Sequence, residues 1–136
     1  MRLEPLYRIR FSYPEHWEVK GPDTQFFGIA EGRCEGGITG RFRGANAPRL
    51  RGDDVYLPDF HAIIETDDGA AIAVHLTGLA RAGENGEREV VGAITHLSGD
   101  EPHEQLNDAQ CVFVAQPRDK VIVIDVAELI WEPLAD

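Results

Sequence analysis

The chain has 136 residues, the size of one domain, and is 43% hydrophobic and 27% charged. That balance supports a folded core and argues against disorder. A formal charge of −11 excludes nucleic acid and anionic membranes as natural partners, because both are bound mainly by lysine and arginine neutralising phosphate. Five arginines between Arg33 and Arg51 face Glu35 alone, whereas Ala82 to Asp136 carries 12 acids against three bases. One region is therefore locally cationic and suited to an anion.

Segments of strand character recur along the chain between Gly, Pro, Asp and Asn, and none keeps a helical period. The first is Leu6 to Phe11, with Tyr7, Ile9 and Phe11 on one face and Leu6, Arg8 and Arg10 on the other. Gln25 to Ala30 and Ile38 to Phe42 follow, among glycines expected to mark bends. Phe60 to Leu76 contains two apolar runs around Asp67-Asp68-Gly69, a strong hairpin signal. Val90 to Leu97 reads as a strand. Ser98 to Ala109 reads as a polar loop with at most one helical turn, a candidate lid. Cys111 to Ala115 and Val121 to Ile130 form a final hairpin around Pro117-Arg118-Asp119, and Val121 to Ala127 is apolar on both faces, as a central strand is.

These elements predict one all-β domain over residues 1–136, with about eight antiparallel strands and little helix. Closure into a barrel removes exposed sheet edges, and the glycine spacing suits it. Two sheets packed as a sandwich are the alternative. Cys34 and Cys111 lie in strand-like segments and are expected to be buried and reduced. The N-terminus lacks an apolar run of signal-peptide length, and no stretch reaches the ~18 apolar residues of a membrane span, so the cytoplasm is the expected compartment.

Gly40-Arg41-Phe42-Arg43-Gly44-Ala45-Asn46, Leu57-Pro58-Asp59-Phe60-His61, Glu65-Thr66-Asp67-Asp68-Gly69-Ala70 and Leu106-Asn107-Asp108 resemble segments of a bacterial family, the domain of unknown function numbered three-two-three-seven. The resemblance implies a small antiparallel barrel similar to lipocalin-like and allene-oxide-cyclase-like barrels, with a central cavity for a small molecule. It implies no established reaction and no agreed set of catalytic residues.

Two registers fit the Asp67-Asp68-Gly69 hairpin. A three-residue loop pairs Thr66 with Ala70 and sets His61 opposite His75; a two-residue turn puts the histidines on opposite sides of the sheet. The first agrees better with Asp early in the turn and Gly last. One face then carries His61, Ile63, Glu65, Ala71, Ala73 and His75 and is expected to line a cavity, with Ala62, Ile64, Ile72 and Val74 facing away. His61 and His75 are the candidate proton-transfer groups, with Glu65 or Asp125 assisting; Asp125 stands out because it interrupts an apolar strand. A structural pairing of Asp125 with an arginine is the alternative. No metal site is expected: His61 and Glu65 lie about 13 Å apart along a strand, too far to share one ion.

Arg41 and Arg43, on one face of their strand, are candidate anion ligands, or else an outward ladder of ion pairs. Trp17 is a candidate cap on a cavity mouth, and His96 a ligand-binding residue beside the polar loop. No cofactor is expected, since the nucleotide, metalloprotease and nucleophile-elbow motifs are absent. Three readings stay open. They are a cofactor-free isomerase, cyclase or lyase acting on a modest, partly apolar molecule, a non-catalytic carrier, and an interaction module. Self-association is left open.

Overall fold

The computed structural model describes every residue except Asp23 and Asn85. Ten strands follow in chain order: β1 (Arg2–Val19), β2 (Gln25–Gly36), β3 (Gly40–Asn46), β4 (Arg49–Leu50), β5 (Tyr56–Leu57), β6 (Asp59–Thr66), β7 (Ala71–Ala82), β8 (Arg88–Leu97), β9 (Cys111–Arg118) and β10 (Val121–Ile130). A 3-10 helix, Glu101–Asp108, separates β8 from β9. Eight long strands pair antiparallel in the ring β1-β10-β9-β8-β7-β6-β3-β2, and β2 returns to β1. The sheet is thus a closed eight-stranded barrel, 66% strand and 6% helix, as the pattern predicted. β4 and β5 are a short strap from β2 to β7 across one end.

Alternation decides which face is inside. Tyr7, Ile9 and Phe11 point inward, joined by Ala30, Cys34, Phe42, Ile64, Ile72, Leu76, Ile94, Phe113 and Val126, all buried. Phe42 sits at the centre, its ring centroid 5.6 Å from that of Phe11 and 5.5 Å from that of Phe60. The hollow expected at the heart of the barrel is therefore filled by aromatic rings. At one end the 3-10 helix inserts Leu106 into this core. The Ser98–Ala109 segment is thus a plug. Ser98 N–H donates to Asn107 Oδ1 at 2.7 Å, and the Asn107 amide donates back to Ser98 O at 2.9 Å.

β1 is much longer than the sequence indicates. It runs past Pro5 and Pro14, and the ladder absorbs both through register shifts between Pro5 and Tyr7 and between Ser12 and Glu15. Prolines at irregular points of a ladder cost no regular hydrogen bond. In the β6–β7 hairpin the three-residue loop is present. Thr66 N–H donates to Ala70 O at 2.9 Å, His61 pairs with His75, and Gly69 adopts φ +90°.

The face assignment of that hairpin is the reverse of expectation. Ala62, Ile64, Ile72 and Val74 form the interior, and His61, Ile63, Glu65 and His75 lie on the outer surface. The physical reason is burial: the more apolar of the two alternating sets takes the dry side. Among the described residues no helix is long and apolar enough to cross a membrane.

Candidate functional site

The end of the barrel opposite the 3-10 plug carries a small pocket of about 280 Å³. After the Ser12/Glu15 irregularity, β1 continues beside the start of β2, so Trp17 faces Phe27 across the ladder. Their rings lie 5.8 Å apart, and both remain well exposed, Trp17 at 49% and Phe27 at 43%. They form one wall; Phe26, Tyr13, His16, Glu18, Asn46 and Pro48 are among the other lining residues. Gly28 makes room for the Tyr13 ring, because a Cβ there would meet it at 2.7 Å. On the pocket floor the Asn46 amide donates to the Tyr13 hydroxyl oxygen at 3.1 Å, while Asn46 Oδ1 accepts from the Asp59 N–H at 3.2 Å. Burial pushes the Tyr13 phenol up, against the opposing pull of the Asn46 hydrogen bond. The hydroxyl is therefore neutral, and its proton is free to donate.

Trp17, singled out from the sequence, lines this pocket, as do Tyr13 and Asn46, which were not. Tyr13 continues the inward alternation of Tyr7, Ile9 and Phe11, a signal hidden by Pro14. Asn46 closes the segment Gly40 to Asn46 and carries no local mark of its role.

The remaining sequence candidates are dispersed. His96 is inside the barrel near the plug and only 5% exposed, with Nε2 2.6 Å from the Tyr7 hydroxyl. Burial depresses its pKa to about 4, so the imidazole is neutral near pH 7. Its Nδ1 is buried without a hydrogen-bond partner. Cys34 and Cys111 are free and buried, and burial pushes the Cys34 thiol up to about 12, which leaves it inert.

Asp125 faces outward and accepts from Arg8 twice, at 2.6 and 3.1 Å. Arg41 donates to Glu31 at 2.7 Å, and Arg43 pairs with Glu65 across β3 and β6. The arginines therefore stand in an outward ladder with Arg33–Asp67 and Arg10–Glu35, each already holding a carboxylate. They do not converge on a common anion site. His61 and His75 lie outside with Asp59, whose carboxyl is held below its usual range chiefly by the hydrogen bond to His75. None of these groups borders the Trp17 pocket.

Several solved structures share the fold. A β-barrel-like protein of Acinetobacter baumannii AYE is 19% identical over 93% of this chain and 94% of that one, with a TM-score of 0.83. A conserved protein of unknown function from Rhodopseudomonas palustris is 18% identical over 95% and 97%, with a TM-score of 0.84. A structure described as an enzyme from Penicillium herquei is 18% identical over 93% and 92%, with a TM-score of 0.73. At such identities the likeness is one of fold. No curated protein matches the sequence. A family model described as "Protein of unknown function (DUF3237)" matches residues 1–129. With nearly the whole barrel inside that match, the chain belongs to the DUF3237 family, as the Gly40–Asn46 and Glu65–Ala70 segments indicated.

Proposed function

We propose that the protein binds a small, uncharged, partly aromatic molecule at the Trp17 mouth. The observation that carries this reading is the exposed Trp17–Phe27 wall standing over a Tyr13–Asn46 polar floor. Exposed aromatic surface beside a few convergent polar groups is the usual composition of a ligand site. Glu18 also borders the pocket, and the net charge is −11, so anions are disfavoured.

Catalysis extends this reading, and it brings in the description of the Penicillium herquei barrel as an enzyme. A cofactor-free isomerisation, cyclisation or elimination in this pocket uses Tyr13 as acid and His16 as base. His61, His75, Glu65 and Asp125 are not among the residues that line it.

Trp17 and Trp131 are the only tryptophans, which makes the test direct. In a Trp131→Phe background, titration with uncharged phenols and aromatic ketones is expected to quench or blue-shift Trp17 emission. Tyr13→Phe is expected to weaken binding about 2- to 10-fold, the value of one hydrogen bond. Emission unchanged across the panel overturns the reading.

A second reading, self-association, is favoured by the outer face of β8, β9, β10 and β1. There Leu3, Pro5, Val91, Val112, Val114 and Ala127 border an apolar groove of about 810 Å³ around the Arg8–Asp125 pair. Val91 is 55% exposed and Val114 53%. Such a face suits a second copy of the chain. Sedimentation is expected to show an oligomer that Val114→Glu dissociates; a monomeric wild-type protein refutes it.

A further inference from the structure

We propose that Asp59, His61 and His75 form a binding site for a divalent cation of the zinc class on the outer face of the β6–β7 hairpin. The inference is independent of the Trp17 pocket. Glu65 lies too far along the strand to share an ion with His61, and Asp59 supplies what Glu65 cannot. It is two residues from His61 on the same face, about 6.6 Å along the strand, and diagonal to His75 across the ladder.

Strand pairing brings the imidazoles together. Counting from the hydrogen-bonded Thr66–Ala70 closure, His61 and His75 form a non-hydrogen-bonded pair, the kind in which opposed side chains approach most closely. Their rings stack with centroids 4.0 Å apart and planes 10° apart. Both Nε2 atoms face one carboxylate oxygen, Asp59 Oδ1, at 3.3 Å from His61 and 2.7 Å from His75. The three donor atoms all lie within 4.8 Å of one another.

The dimensions suit a tetrahedral ion. Bonds of about 2.0 Å to zinc set its donors about 3.3 Å apart. The His61–Asp59 separation already has that length, and the His75–Asp59 separation needs to open by about 0.6 Å. Both histidines and Asp59 are partly or well exposed, so rotamer adjustment meets no packed core. Two imidazoles and one carboxylate select zinc, nickel or copper over magnesium or calcium, which prefer all-oxygen shells. The acidic surface of the chain adds long-range attraction for a cation. Three protein ligands leave a coordination position open to solvent, where His61 borders a shallow groove of about 660 Å³.

Calorimetric titration of the untagged full chain with zinc chloride tests the proposal. One ion per chain is expected, with His61→Ala, His75→Ala and Asp59→Asn each weakening binding at least about tenfold. Glu65→Gln, on the same face but outside the donor set, is expected to leave it unchanged. Cobalt(II) provides a second readout, because a tetrahedral site gives an intense visible band that His61→Ala abolishes. Absence of zinc binding, or binding undiminished in both histidine variants, overturns the site. Circular dichroism of the variants separates ligand loss from unfolding.

Discussion

Replacing Phe42 by alanine is expected to remove about 3–5 kcal/mol of stability, the range for deleting a fully buried phenylalanine. Phe42 is 0% exposed and packs against both Phe11 and Phe60, which also meet each other edge to face. Its loss opens a cavity among the inward faces of β1, β3 and β6, and rigid β-strands relax poorly into such a space. A domain of ordinary stability has about 5–15 kcal/mol in total, so the variant approaches the limit of folding. The comparison is Ile63→Ala, on β6 next to Ile64, the cross-strand partner of Phe42, but on the outer face and 46% exposed. That change is expected to cost under about 1 kcal/mol. Urea denaturation gives both values as midpoint shifts at a common slope. Similar costs for the two variants would mean that the barrel is not filled as described.

The contrast between Phe42 and Ile63 also marks what the amino-acid pattern could and could not reveal. Period-two alternation is local, so strands, the last hairpin and the Thr66–Ala70 loop were legible, and barrel closure followed from glycine spacing and the need to cover edges. Which face turns inward is a global matter. In β6 the two sets are Phe60, Ala62, Ile64 and Thr66 against Asp59, His61, Ile63 and Glu65, and the set of higher apolar content wins the interior. The histidines of the other set mark potential chemistry, which has no bearing on which face is buried. Pro14 concealed that β1 continues to Val19, and with it the Tyr13–Asn46 floor beneath Trp17. Asp59 lay next to Pro58, where a strand start is hard to see, so its approach to the histidine pair was not legible either. Interior glycines looked like bends, yet the register shifts fall beside Pro5 and Pro14, and Gly28 serves instead to seat the Tyr13 ring.

His96 is expected to make the barrel sensitive to mild acid. Its folded pKa is depressed to about 4, below the ordinary value near 6.5, because protonation would place a charge among buried apolar groups. The sign follows from proton counting. Between these two values the unfolded chain holds the proton and the folded chain does not, so acid favours unfolding. The contribution is fully present above about pH 6.5, is lost progressively as pH falls towards 4, and is constant below that. Its size is about 2–3 kcal/mol after allowing for partial solvent screening. Carboxylates titrate in part of the same window, so the informative quantity is the difference from a variant. His96→Gln keeps a hydrogen-bonding group for the Tyr7 hydroxyl and carries no titrating ring. Its stability at pH 7 falls modestly, but its denaturation midpoint is expected to vary less with pH than that of the wild-type protein between pH 4 and 6.5. Parallel profiles would show that His96 is solvated or charged in the folded state. In that case the region beside the 3-10 plug would be open to water.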